Sequence, residues 1–152
     1  MEKIQFKKEI RASAKKVFNT MLGLENIKTY EDWTAVFNPT STYEGSWEKG
    51  SKIYFVGFDD SGKKMGMVSE IVENIPFKFV SIRHYGMLDG DNEITEGPMV
   101  EEWAGLLENY SLSEQDGVTT VTVDSDTTAE YVDSLSATWA KALNKLKEIA
   151  EK

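Results

Sequence analysis

Hydrophobic and polar positions alternate over the first ten residues, which is the period-two pattern of a strand with one buried face. The pattern then changes to helical spacing, with Ser13 at an N-cap position and apolar side chains recurring over residues 17–22. After Gly23, residues 24–33 fit a second short helix. We expect the two helices to bridge the first two strands and to close one end of a sheet. The apolar positions are Ile4, Phe6 and Ile10 in the strand, and Val17, Phe18, Met21 and Leu22 in the first helix.

From Thr40 onward the period returns to two, and turn residues separate the apolar segments. The predicted strands cover residues 41–46, 52–58, 64–73, 77–85, 100–113 and 118–125. Residues 86–99 differ, because they hold three glycines, one proline and four acidic residues. We predict a long mobile loop there. Long loops inside compact domains are uncommon and often serve as lids, although a solvated loop without a role is the alternative.

The Asp116-Gly117 dipeptide lies between two alternating segments and is a strong signal for a β-hairpin with a two-residue turn. The resulting register opposes Gln115 with Val118, Leu112 with Val121, and Tyr110 with Val123. The same parity places Leu106 and Glu108 on the face of Leu112, unless a bulge near Gly105 intervenes. The hairpin therefore predicts an apolar wall that contains one carboxylate.

Residues 129–151 carry apolar side chains at three- and four-residue steps, as expected for one long amphipathic helix. Thr127 and Glu130 have the spacing of a capping box at its start. At 1.5 Å per residue the helix would be about 33 Å long, enough to cross a sheet. Its apolar stripe comprises Val132, Leu135, Trp139, Ala142, Leu143, Leu146 and Ile149. Such a helix needs an apolar surface, and the preceding strands are the candidate.

The order of these segments predicts an α+β fold. A curved antiparallel sheet of about seven strands would wrap around the long C-terminal helix, with two short helices between strands one and two and room for a small guest molecule. The chain has 152 residues, which suits one domain over residues 1–152. No internal repeat or linker-like segment divides it.

Composition removes several classes of function. The chain has no cysteine and one histidine, which excludes disulfides, thiolate zinc sites, cysteine nucleophiles and multi-histidine metal sites. We predict neither a metal nor a cofactor. A net charge of -9 disfavours nucleic acid and anionic membranes as partners. The charged amino terminus does not fit a signal peptide, and no apolar run approaches the ~20 residues of a membrane span, so we expect a soluble, cytoplasmic protein.

A family resemblance adds to this picture. The order of strand, two helices, six strands and long helix resembles the START-like (SRPBCC, helix-grip) superfamily. Residues 43–55 (YEGSWEKGSKIYF), 66–71 (GMVSEI) and 75–77 (IPF) are similar to its heat-shock-protein ATPase activator-like branch. The resemblance implies a cavity between the sheet and the last helix. Its motifs are turns and core positions, so it implies a fold and supplies no catalytic residue, and fold does not determine function.

Two polar side chains are predicted to face the interior. His84 shares strand parity with Val80 and Ile82, and Glu108 lies on the hairpin wall. An inward carboxylate must find a partner or change its pKa, because burying an unpaired charge is unfavourable. Contact with a ligand and an acid–base pair are the functional interpretations. A purely structural hydrogen bond is the plainer one.

The chain is rich in aromatic residues for its length, with four tryptophans. Aromatic walls with a few polar anchors suit an apolar ligand, although core packing also explains them. We predict that residues 86–99 gate the entrance. The predicted ligand-binding residues are Ile82, His84, Trp103, Glu108, Tyr110, Trp139 and Leu143.

We predict that the domain binds a small apolar or amphipathic molecule between the sheet and the C-terminal helix. Two alternatives stay open. One is a co-chaperone-like interaction module that stimulates a chaperone ATPase, as the branch resemblance implies. The other is an enzyme of the polyketide cyclase or dehydratase type, which is less favoured because no nucleophile, oxyanion hole or metal set accompanies His84 and Glu108. Exposed edge strands also leave a homodimer open.

Overall fold

The computed structural model describes residues 2–152, which form one antiparallel sheet of eight strands with helices on its inner side. The strands are β1 (Glu2–Ile10), β2 (Thr42–Gly45), β3 (Lys52–Phe58), β4 (Lys64–Ile75), β5 (Phe79–Asp89), β6 (Asn92–Ile94), β7 (Leu106–Gln115) and β8 (Val118–Thr127). The helices are α1 (Ala14–Leu22), α2 (Ile27–Thr34), α3 (Pro98–Glu101) and α4 (Val132–Ala150). The strand order is β1-β8-β7-β5-β4-β3-β2, and β6 pairs with β5. The predicted α+β fold class is confirmed, with β6 as an additional short strand.

The hairpin of β7 and β8 has the register predicted from Asp116-Gly117. Tyr110 pairs with Val123, and Glu108 pairs with Ser125, so no bulge interrupts the wall in this stretch. Asp116 and Gly117 have φ angles of 54° and 80°, the positive values that a tight hairpin turn of this kind requires. The turn chemistry therefore positions Glu108 on the inner face of the sheet.

The first two helices also follow their sequence signals. The Ser13 side chain accepts a hydrogen bond from the Lys16 backbone N–H and caps α1. Gly23 ends α1 with a φ of 68°, and the Asn26 side chain caps α2 by accepting from the Lys28 backbone N–H. A side chain at Gly23 would contact Ile27 and Tyr30, so the glycine allows α2 to pack closely behind α1.

The last helix starts later than predicted. The predicted capping box at Thr127 and Glu130 is wrong. Thr127 is the final residue of β8, where it pairs with Glu2 of β1. This extended pairing removes Thr127 from an N-cap position. Residues Ala129–Tyr131 form a single 3-10 turn, and the α-helix begins at Val132. With 19 residues, α4 is about 28 Å long.

The predicted long loop over residues 86–99 is also wrong. Residues 86–89 complete β5, and β6 folds back on them in a short hairpin whose turn contains Gly90, with a φ of 64°. Pro98 then begins α3, so the strand predicted over residues 100–113 starts only at Leu106. Gly and Asp residues indicated turns correctly, but they were too close together in sequence to reveal a strand only three residues long.

Strand β5 also begins later than the predicted residue 77. Phe77 lies in the preceding turn with a φ of 68°, and β4 extends to Ile75 before the chain reverses. Register shifts between Val68 and Ser69, and between Ile71 and Glu73, interrupt the pairing of β4 with β5. Such bulges bend a strand and increase its twist, which favours a sheet that curves around a helix.

The core lies between the concave face of the sheet and the three longer helices. Helix α4 packs against β1, α1 and α2, and its apolar stripe supplies buried side chains to the main cluster. These are Trp139, Ala142, Leu143, Leu146 and Ala150. No helix within residues 2–152 combines the length and apolar character needed to cross a membrane.

Candidate functional site

A cavity of about 320 Å³ lies between the concave face of the sheet, helix α2 and helix α4. This volume is at the lower end of the range of about 300–1,000 Å³ that is typical of small-molecule pockets. Its wall is mainly apolar, and aromatic rings are the largest group of side chains in it. Representative wall residues are Trp33 and Phe37 from the α2 region, Phe55 from β3, Tyr110 from β7 and Trp139 from α4.

The polar end of the cavity is built from a chain of hydrogen bonds across three strands. His84 Nδ1 lies 2.6 Å from Ser69 Oγ, and His84 Nε2 lies 3.1 Å from Glu108 Oε1. The Tyr110 hydroxyl donates a short hydrogen bond to Glu108 Oε2. Ser69 is fully buried, His84 is nearly so, and the Glu108 side chain is 21% exposed. His84, Glu108 and Tyr110 line the cavity and Ser69 does not, and Glu108 has a more exposed side chain than His84.

Strand register explains how these side chains meet. Ser69 of β4 pairs directly with His84 of β5. On the other side, His84 pairs with Leu106 and Ile82 pairs with Glu108, so His84 and Glu108 are diagonal neighbours. The register shift after Val68 decides the first contact, because continuous pairing would place Ser69 opposite Tyr85 instead.

The hydrogen-bond donors can be assigned to this chain one by one. Ser69 is fully buried, and its hydroxyl is satisfied by donating to His84 Nδ1. The single proton of a neutral imidazole then stands on Nε2 and is donated to Glu108. This tautomer gives each donor one acceptor and leaves the cluster with the net charge of one carboxylate.

Burial and hydrogen bonding shift the pKa of Glu108 in opposite directions. Burial alone would raise the pKa of Glu108, but hydrogen bonds from His84 and Tyr110 bring this pKa below its ordinary value. Burial and the adjacent Glu108 charge raise the pKa of Tyr110 well above its ordinary value. Glu108 is therefore ionised and Tyr110 is a neutral donor near neutral pH.

The aromatic wall is continuous around Trp139. The Trp139 ring stacks on Phe6 at 6.1 Å between centroids and meets Phe37 edge-on at 5.0 Å. Tyr110 also approaches Trp139 edge-on, at 6.2 Å. Trp33 holds its place by donating its indole N–H to the Met21 carbonyl. Because these rings pack on one another, the wall is fixed by the core and not by a ligand.

The structure places four of the seven predicted site residues on the cavity wall: His84, Glu108, Tyr110 and Trp139. The other three do not line it. Ile82 and Leu143 are buried in the main core cluster on either side, because the strand and the helix extend beyond the cavity. Trp103 lies in the turn after α3, where its indole N–H donates to the Met99 carbonyl.

The predicted gate formed by residues 86–99 is wrong as well, because none of these residues lines the cavity. They form the hairpin of β5 and β6, which Glu93 fastens to the sheet by accepting from Lys52 and Tyr54. Wall residues come instead from α2 and the segment after it, where Phe37 is 39% exposed.

Sequence reasoning missed several wall residues and one supporting residue. Phe55 shares strand parity with the buried Ile53, so the alternation of β3 contained a usable signal. Tyr30 and Phe37 depend on how α2 and the segment after it meet the sheet, which no local pattern indicates. Ser69 depends on the register shift in β4 and β5, and nothing in its sequence neighbourhood distinguishes it from an exposed serine.

Comparison with solved structures agrees with this architecture over nearly the whole chain. The Aha1 dimer from Colwellia psychrerythraea has a TM-score of 0.67 and 23% identity, with 99% of this chain and 97% of that chain covered. A protein from Arthrobacter aurescens has a TM-score of 0.70 and 15% identity, covering 97% and 85% of the two chains. A protein from Nitrosomonas europaea has a TM-score of 0.69 and 16% identity, covering 97% and 93%.

The chain has the helix-grip fold. Sequence comparisons go no further, because no family model and no curated protein matches the chain. At these identities the likeness concerns the fold alone, and the chemistry of this helix-grip domain depends on the side chains of its own cavity.

The series Ser69, His84 and Glu108 has the residue types of a nucleophilic triad, but its geometry does not serve that chemistry. Ser69 is fully buried and does not line the cavity, so its hydroxyl has no access to a substrate. Within residues 2–152, no group of three or more potential ligand side chains is placed to hold a metal ion. The arrangement instead positions one ionised carboxylate at the end of an aromatic cavity.

Proposed function

We propose that this helix-grip domain binds a small apolar or amphipathic molecule in the cavity between the sheet and α4. The observation that carries the proposal is the Glu108 carboxylate, which is held by His84 and Tyr110 and still has access to a cavity with aromatic walls. Binding pockets combine a mainly apolar lining with a few fixed polar groups that orient the ligand. A carboxylate buried in a core without a cavity could not orient a ligand.

The rigidity of the wall supports binding with little reorganisation. Trp33 and Trp139 are buried, and their rings lie 5.9 Å apart within the same aromatic cluster. Side chains that are already ordered lose little conformational entropy when a ligand enters, so more of the contact energy is available for affinity. Phe37, at 39% exposure, lies where the cavity meets solvent.

Titration with N-phenylnaphthylamine, a neutral fluorophore that brightens in apolar surroundings, tests this proposal. Ser125 lines the cavity opposite Glu108 in the hairpin, so Ser125→Phe fills the space that a ligand needs. Ser113→Phe is the matched control, because it adds the same ring to an exposed position of β7.

We expect the wild-type domain and Ser113→Phe to bind the fluorophore with similar affinity, and Ser125→Phe to bind at least about tenfold more weakly, since a factor of ten is 1.4 kcal/mol. Absence of binding to the wild-type domain, or unchanged binding to Ser125→Phe, would contradict the proposal.

A second candidate is a co-chaperone-like interaction module that stimulates a chaperone ATPase. Its support is the similarity of residues 43–55 to the ATPase activator-like branch and the 23% identity to the Aha1 dimer from Colwellia psychrerythraea. Adding the domain to a purified heat-shock-protein ATPase tests this candidate directly. A rise in ATP hydrolysis that survives Ser125→Phe would favour it, and an unchanged rate would count against it.

A further inference from the structure

We propose that the ligand of this cavity is an organic cation, an aromatic or cyclic amine whose ammonium group lies on Glu108. This inference rests on the proposed small-molecule binding and adds the chemical class of the ligand. Three features of the cavity support it: the free lone pairs of Glu108, the charge of the wall and its aromatic rings.

Within the cluster of Ser69, His84, Glu108 and Tyr110, every donor is engaged and lone pairs of Glu108 remain free. A carboxylate has about four lone-pair sites, and His84 and Tyr110 occupy two of those on Glu108. The Tyr110 hydrogen is donated to Glu108, and both ring nitrogens of His84 are engaged. A ligand group that binds the free lone pairs of Glu108 must therefore bring its own N–H or O–H donor.

The charge of the cavity wall selects among donors. The wall contains Glu108 and Asp126, and none of the lysines or arginines within residues 2–152 lines it. Asp126 is already neutralised, because its carboxylate lies 2.8 Å from Lys3 Nζ and also accepts from the Leu107 backbone N–H. With a single proton on its ring, His84 is neutral. The negative charge of Glu108 therefore has no cationic partner among the wall residues.

A cation compensates this charge, whereas an anion such as a fatty-acid carboxylate would meet it at close range. Like charges brought together in a partly desolvated site are strongly unfavourable. A hydroxyl donor would satisfy the hydrogen bond but would leave the charge uncompensated. An ammonium group supplies both donors and charge.

The aromatic wall adds a further preference for cations. Phe55 lies 5.7 Å from the His84 ring, and Tyr110 links Glu108 to Trp139. The faces of aromatic rings are electronegative and attract ammonium groups, with Trp as the best partner. The apolar part of the same ligand would lie against Trp33 and Trp139.

Calorimetric titration with three ligands that share one naphthalene ring tests the inference. Naphthylethylamine carries the ammonium group, ethylnaphthalene is the neutral reference and naphthylpropionate is the anion. We expect the amine to bind at least about tenfold more tightly than the other two, since a charge pair at a partly buried site exceeds the 1.4 kcal/mol that tenfold requires. This comparison needs only the wild-type domain.

Two variants then locate the preference. Glu108→Gln should remove the advantage of the amine over ethylnaphthalene, so that the ratio of the two affinities falls at least about tenfold. Asp126→Asn is the matched control, and the advantage should persist in it because Asp126 is already paired with Lys3.

A naphthylpropionate affinity equal to or greater than that of the amine would overturn the inference, as would an advantage that survives Glu108→Gln. Binding of ethylnaphthalene or N-phenylnaphthylamine in that case would leave the proposed function standing. If the domain bound none of these compounds, the proposed function would fail, and the choice of ligand class would fail with it.

Discussion

His84 Nε2 lies 3.1 Å from Glu108 Oε1 although the two residues are not paired in the sheet. His84 stands opposite Leu106, and Glu108 stands opposite Ile82, so the contact is diagonal across β5 and β7. This diagonal contact turns the Glu108 carboxylate toward the cavity while the imidazole holds it from one side. The polar end of the cavity is thus determined by the register of β5 and β7.

Ser69→Ala tests the assignment of protons in this cluster. The substitution leaves His84 Nδ1 buried without its donor, which should lower the free energy of unfolding by about 1–3 kcal/mol. Nitrogen-15 spectra of the imidazole should show a proton on Nε2 alone in the wild-type domain at neutral pH, and a mixture of tautomers in the variant. A wild-type ring protonated on both nitrogens would contradict the net negative charge that we assign to the cluster.

The stability of the domain should depend on pH through Glu108. Because its pKa in the folded state is lowered, its ionised form stabilises the fold. That contribution is fully present above the ordinary value of 4.5 and is lost as the pH falls through the lowered pKa. His84 and Tyr110 are the titratable groups in direct contact with it.

Denaturant unfolding at a series of pH values should therefore show a steeper loss of stability below pH 4.5 for the wild-type domain than for Glu108→Gln. Other carboxyl groups with lowered pKa values, including Asp126 and Glu151, are common to both proteins, so the difference isolates Glu108. Parallel curves would show that the hydrogen bonds to this carboxylate do not stabilise the fold.

Trp139→Ala tests whether α4 packs against the inner face of the sheet. Trp139 is 5% exposed and contacts four aromatic rings, so its truncation should lower the free energy of unfolding by about 3–5 kcal/mol. Tyr131→Ala just before α4 is a suitable control, because Tyr131 is 55% exposed. A loss below about 1 kcal/mol at Trp139 would mean that its stripe is not buried.

Hydrogen exchange distinguishes the hairpin of β5 and β6 from the loop that composition indicated. Amide protons of residues 87–89 and 92–94 should exchange more slowly than those of the turn at residues 60–62, because the first group lies in paired strands. Equal exchange rates in both segments would restore the prediction of a mobile loop.

Local signals were sufficient where one dipeptide or one period determined the geometry. Asp116-Gly117 determined the register of its hairpin, and the helical period of α4 determined that Trp139 is buried. Parity along β5 and β7 was enough to predict that His84 and Glu108 face inward.

Signals failed where long-range pairing overrode a local preference. Thr127 has the residue type of a helix cap, but its pairing with β1 keeps it extended. The contact of Ser69 with His84 depends on a register shift between two strands, which no alternation pattern reveals. The extent of the cavity also depends on tertiary packing, so Ile82 and Leu143 have the expected orientation but lie beyond its wall.

The four tryptophans provide the most direct test that the cavity binds a small molecule. Trp33 and Trp139 line it, whereas Trp47 and Trp103 do not, so their indole N–H signals in a proton–nitrogen correlation spectrum report separately on cavity and surroundings. On titration with N-phenylnaphthylamine, we predict saturable shifts of the Trp33 and Trp139 signals that are larger than those of Trp47 and Trp103. Shifts confined to Trp47 or Trp103, or no shift at any of the four, would contradict binding between the sheet and α4.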